Sequence, residues 1–129
     1  MLSTIKQCIL SIFKTQESEL ETAFKDREPL TTNEFYIKYY KEKEIPFHVV
    51  NGVKHILESE LDADLSRLKN KDDFSQNLSF FWDFDSLADV AIVVSLEKYF
   101  SIKIEDSEAE NMHTIDDMIY FVTNKLSRA

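Results

Sequence analysis

The stretch from Phe80 to Phe100, FFWDFDSLADVAIVVSLEKYF, decides how the chain is read. Three bulky aromatics and a short acidic run stand directly ahead of Ser86, and an apolar period begins just after it. Val90, Val93, Leu96 and Phe100 recur at three- and four-residue intervals. That spacing predicts a helix starting at Ser86, with those four side chains inward, and ending near Tyr99 to Ser101. A serine at a helix start is ordinarily a cap for the first turn. It can also be a point of attachment, and the rest of the chain has to distinguish the two.

Working outward, one glycine in 129 residues and almost no alternation of apolar and polar positions favour helices wherever a 3.6-residue period appears. Pro46 suits a first helical turn, and Val50, Val53, Leu57 and Leu61 keep one apolar face, which predicts a helix over 46–61. Thr31 and Glu34 have capping-box spacing ahead of Phe35, Tyr36, Ile37, Tyr39 and Tyr40. Leu2, Ile5, Ile9, Ile12 and Phe13 form an earlier stripe that continues through Leu20 and Phe24, with Cys8 on it as a small core residue. Between Asp62 and Asp85 the period is lost, which predicts a long loop anchored by Leu65, Leu68, Phe74 and Leu78. After Phe100 the chain reads as a short extended piece at Ile102 to Ile104 and a short helix from Asp106 to Met112. A last helix follows, capped by Thr114 and carrying Ile115, Met118, Ile119 and Val122.

Composition narrows the function classes. The net charge of -9, from 24 acidic and 15 basic residues, argues against a nucleic-acid ligand, whose affinity is built from clustered Lys and Arg. A basic partner fits better. A single cysteine allows no internal disulfide and no cysteine-based zinc cluster, so a reducing cytoplasm is the expected location. No run approaches the roughly 20 apolar residues of a membrane span, and no signal peptide is read. His48, His55 and His113 lack zinc-ligand spacing, and no Ser, His and acid combine into a triad. Asp62, Asp64, Ser66 and Asp73 resemble a calcium loop only superficially, because Arg67 stands where the turn glycine belongs. Neither a metal site nor a catalytic residue is expected.

Taken in order, several elements resemble the acyl carrier protein family. These are Asp85-Ser86-Leu87, the helix ending in Glu97 and Phe100, the Ile102 to Asp106 element, Glu108-Ala109-Glu110, and Thr114-Ile115. Val53, Ile56, Leu57, Leu61, Leu68, Phe74 and Leu78 are similar to that family's first helix and first loop, so the resemblance covers Pro46 to Leu126. It implies an all-α, acyl-carrier-protein-like four-helix bundle over 46–129 with additional N-terminal helices over 1–45. It also implies that Ser86, between Asp85 and Leu87, accepts phosphopantetheine from coenzyme A through a phosphopantetheinyl transferase. The thiol of that arm would carry an acyl or related carboxylic-acid intermediate as a thioester, leaving the protein itself no catalytic task. Free N–H groups and the positive end of a helix dipole at Ser86 agree with an attached phosphate.

The resemblance further implies docking of acyl-transferring or synthase enzymes, through their basic patches, on Leu87, Asp89, Val90, Val94 and Glu97. Val90 can serve this outward patch, the inward stripe or both. Asp83 stands where a glycine is usual, Ala88 and Ala91 replace acids, and Ser79 to Trp82 read as an insertion. The acidic docking face is thereby thinned to Asp89 and Glu97, which implies partners other than ordinary fatty-acid synthesis enzymes. For Phe80, Phe81, Trp82 and Phe84 the expectation is packing against the N-terminal helices; contact with a partner or an acyl chain is the alternative. For the whole chain the alternative is an unmodified carrier-like adaptor for protein interaction. A small serine hydrolase lacks both a glycine turn and a paired base.

Overall fold

The computed structural model describes residues 17–128. A helical segment, α1, covers residues 17–23. It is followed by α2 (Thr32–Tyr39), a 3-10 turn at Lys41–Lys43, α3 (Phe47–Leu61), α4 (Phe80–Phe84), α5 (Ala88–Phe100), α6 (Asp106–Ala109) and α7 (Ile115–Ser127). The fold is all-α, and among the described residues the one β-type pairing is an isolated bridge between Asp73 and Thr114. The apolar stripe from Leu2 to Phe13 and Cys8 lie outside the described residues.

The caps explain where the helices start. Thr31 accepts from the Glu34 amide and Glu34 reaches back to the Thr31 amide, so both orphan donors at the entrance of α2 are satisfied. Thr114 and Asp117 do the same for α7, and Glu105 and Glu108 for α6. α6 stops at Ala109, three residues short of the length read from the sequence, and continues as turns to Asn111. Pro46 caps α3 from outside its first turn. Ile102 to Ile104 is non-helical and forms no strand.

α3 is central. It packs against α2, α5 and α7, and Val49, Val50, Val53 and Leu57 are wholly buried. Gly52 faces the end of α5, where an added Cβ would lie 2.6 Å from both the Phe100 and Tyr99 rings. The chain's single glycine thus serves close helix approach, while the left-handed helix ends at Asp62 and Ser101 are taken by ordinary residues. Tyr99 is half-exposed and can swing away, whereas Phe100 is buried.

Residues ahead of α3 share this core. Phe24, Phe35 and Tyr40 are at most 1% exposed and belong to the same apolar cluster as α3, α5 and α7. Two buried carboxylates tie that part to the long loop and to α7. Asp72 accepts both guanidinium nitrogens of Arg27 (2.7 and 2.9 Å), the Lys69 amide and the Asn77 side chain. Asp116 accepts the Tyr40 hydroxyl at 2.6 Å, the Asn70 amide group and the Lys71 ammonium. The loop from Asp62 to Ser79 is therefore a string of turns pinned by Leu65, Leu68, Phe74 and Leu78, all buried as their sequence positions suggested.

Two outcomes test this packing. Ala at position 52 gains about 1 kcal/mol of helix propensity, but overpacking against a buried ring costs about 1–3 kcal/mol. Gly52→Ala is therefore expected to lower the urea midpoint. Burial first, and the Asp116 carboxylate second, push the Tyr40 hydroxyl well above its ordinary pKa of 10.0. In the unfolded chain Tyr40 ionises near its ordinary value while in the folded chain it stays neutral. Its contribution is thus present below about pH 10 and is lost as pH rises further. Tyr40→Phe should flatten this part of the alkaline slope, measured as the difference in urea midpoints between about pH 8 and about pH 11.

Candidate functional site

The site is the sharp turn between α4 and α5. α4 ends at Phe84, and Asp85 takes an extended conformation (φ -148, ψ 96). Its carboxylate accepts the Leu87 amide at 3.0 Å and its carbonyl accepts the Ala88 amide at 3.2 Å. These two bonds satisfy first-turn donors, so Asp85 performs the work of a cap. Ser86 and Leu87 form the turn itself. Regular helix begins at Ala88, two residues later than the expected start at Ser86. Ser86 is exposed, and its hydroxyl has no hydrogen-bond partner among the described residues. It does not cap the helix, because the neighbouring carboxylate already does.

From this turn α5 presents two distinct faces. Ala88, Ile92, Leu96 and Phe100, at four-residue intervals, are buried. Leu87, Val90 and Val94 are 71%, 57% and 39% exposed and form a stripe on the outer face. This corrects the inward stripe read from the sequence: Val90 faces out, Val93 is half-buried, and Ile92 and Ala88 take the core positions. Five consecutive apolar residues, Val90 to Val94, leave the phase of the helix ambiguous in sequence; packing on α3 sets it. Asp89 is exposed beside the stripe. Glu97 is half-buried, and its carboxylate accepts the Ile104 amide at 3.0 Å, which fixes the segment leading to α6. An apolar groove of about 370 Å³ runs between α5 and α6, with Val90, Val93, Ala109 and Met112 in its walls.

The aromatic run ahead of the serine is a helix where a loop was expected. Phe80 and Phe81 are buried, and the Trp82 ring packs on Phe74 with its Nε1 donating to the Phe74 carbonyl at 3.0 Å. Phe81 also packs on Phe74. The aromatics of α2 find other partners: Phe35 packs against Tyr39 and Tyr40, and Tyr40 against Tyr120 of α7. Of the expected packing on the N-terminal helices, Phe81 and Phe84 share one hollow with Leu20 of α1, and the remainder of that expectation involves residues outside the described ones.

No family model matches the chain. Among curated proteins, the acyl carrier protein of Thermosynechococcus vestitus is 30% identical over 79 residues, covering 61% of this chain and 93% of that protein. The acyl carrier protein of Caulobacter vibrioides is 34% identical over 77 residues, covering 60% of this chain and 94% of that protein. The chain belongs to the acyl carrier protein family. The acyl carrier protein of Myxococcus xanthus is likewise 30% identical over 74 residues, 57% of this chain and 89% of that protein. Each of these acyl carrier proteins is matched over about nine-tenths of its length by roughly three-fifths of this chain.

The closure of the turn by Asp85 can be measured. Asp85→Ala is expected to cost about 1 kcal/mol, as loss of a helix cap does. Hydrogen exchange at the Leu87 and Ala88 amides should accelerate while the α3 amides keep their order of protection. Unchanged exchange at Leu87 would contradict the role given to Asp85.

Proposed function

We propose that this protein carries an acyl or related carboxylic-acid intermediate on phosphopantetheine attached to Ser86. The observation that supports this most is the exposed Ser86 hydroxyl, left uncommitted in a turn that Asp85 closes at the positive end of α5. The group fits these residues. The hydroxyl is accessible to an incoming enzyme, and the dipole of a 13-residue helix favours an anion beside its first turn. In the transfer, Ser86 Oγ forms a phosphodiester bond, the pyrophosphate bond of coenzyme A breaks and adenosine bisphosphate leaves. Once bound, the group supplies a flexible thiol that holds the acyl cargo as a thioester. The protein's own residues position the serine and bind partners; none needs to be catalytic.

The partners in this reading are a phosphopantetheinyl transferase and acyl-transferring or synthase enzymes with basic docking patches. Leu87, Val90 and Val94 offer an apolar strip, and Asp89 steers the encounter. Glu97, already engaged with the Ile104 amide, contributes charge more than a new hydrogen bond. Residues 46–129 form the carrier part and 1–45 the addition. No described helix is long and apolar enough to cross a membrane, and we place the protein in the cytoplasm on its single cysteine.

A second reading, an unmodified adaptor, is favoured by one feature. Asp83 and Asp85 are both exposed and put two carboxylates next to the acceptor. Intact-protein mass after incubation with coenzyme A and a broad-specificity phosphopantetheinyl transferase separates the two. A gain of one phosphopantetheine in the wild type and none in Ser86→Ala is expected. No gain with several transferases would favour the adaptor.

A further inference from the structure

A hollow of about 570 Å³ opens beside the Ser86 turn and shares no lining residue with the groove between α5 and α6. Its walls come from three places: residues 17–21 of α1, the end of α3 with the turn after it, and α4 with the start of α5. Leu20, Phe81, Phe84 and Ala88 make it partly apolar. Its volume lies in the range of small-ligand sites, about 300–1,000 Å³. Asp85 and Ala88, on either side of Ser86 in sequence, both line it, so an arm on Ser86 starts at its edge and can fold back into it.

The charge in this hollow is one-sided. Half of its lining residues are Asp or Glu, and none is Lys, Arg or His. The carboxyl end of the 15-residue helix α3 also meets it at Leu61, Asp62 and Ala63, adding the partial negative charge of that helix terminus. Several of the acids have local tasks: Glu21 pairs with Arg67 at 2.6 Å, Asp64 accepts the Ser66 amide, and Glu60 accepts from Ser95. Glu17 and Asp62 carry no such bond among the described residues. An apolar chain with a carboxylate end would be repelled here. An apolar chain with a cationic end would bury its methylenes on Leu20, Phe81 and Phe84 and set its charge among the acids.

Building on the carrier reading, we propose that this hollow receives the cargo held at Ser86, and that the cargo is an acyl group with an apolar chain ending in an ammonium. Phe81 and Phe84 then act as specificity-determining walls, and residues 17–21 supply the side that an acyl carrier protein without the addition would lack.

The experiment has two arms, so that failure of the carrier reading and failure of this one are distinguishable. In the first, unmodified protein is titrated with hexylammonium and separately with hexanoate while backbone amide shifts are followed. Saturable shifts at Leu20, Phe84 and Ala88 with hexylammonium are expected, with hexanoate about tenfold weaker. The double variant Glu17→Gln, Asp62→Asn should weaken hexylammonium by a similar factor, with its other amide positions unchanged to show an intact fold. Equal response to both ligands, or none at those amides, overturns the proposal whether or not Ser86 is modified. In the second arm, a phosphopantetheinyl transferase loads Ser86 from hexanoyl- or 6-aminohexanoyl-coenzyme A, and thioester cleavage by hydroxylamine is timed. Slower cleavage of the aminohexanoyl form is expected; equal rates overturn the proposal. Absence of loading counts against the carrier reading alone, and the first arm still decides this one.

Discussion

Close approach of α5 to α3 is the constraint on which the rest of the molecule depends. α3 buries Val49, Val50, Val53 and Leu57 completely, and Gly52 leaves room for the rings of Tyr99 and Phe100. With α5 seated there, Ala88, Ile92 and Leu96 must face inward and Leu87, Val90 and Val94 must face water. The exposed stripe beside Ser86 is thus a consequence of packing on the opposite side of the same helix. A helix rotated by about half a turn would bury that stripe and expose Ile92.

The polar ties around Asp72 and Asp116 do something the apolar core does not. A buried carboxylate is costly unless its lone pairs are filled, and each is filled in part by a donor distant in sequence, Arg27 for Asp72 and Tyr40 for Asp116. Asp72 gathers Arg27, Lys69 and Asn77, while Asp116 gathers Tyr40, Asn70 and Lys71. Each therefore accepts essentially one arrangement of the chain. They fix residues 24–40 to the loop and to α7, which holds the residues of α1 near the Ser86 turn and brings Leu20 and Glu21 to the same hollow as Phe84 and Asp85. Residues 17–21 are thereby part of the site's surroundings.

Local chemistry was the legible part of the fold. Thr31 with Glu34 and Thr114 at the last helix are interactions within a few residues, and each lies where its sequence pattern puts it, while Pro46, read into the first turn, stands one residue ahead of α3. The buried anchors of the long loop were legible because four apolar side chains stood alone in a polar stretch. α4 was not, because five residues are too few to display a period and the acidic residues at its end resemble a loop. The inward face of α5 was misread for the opposite reason, since too many apolar residues in succession fit more than one phase.

By itself the sequence determined that the chain is helical, where most helices begin, that it is acidic, and that a serine stands at the head of an apolar helix. Those properties depend on propensity, capping and composition, which act over a few residues or sum over all of them. Only the tertiary structure decided that Asp85 closes the turn and leaves Ser86 uncommitted. It also decided which face of α5 meets water, and that residues 17–21 and α4 together wall a hollow beside the serine. The face of α5 and the walls of the hollow depend on side chains distant in sequence meeting at one point, and no local pattern specifies which of the possible meetings gives a close-packed core with its buried polar groups satisfied.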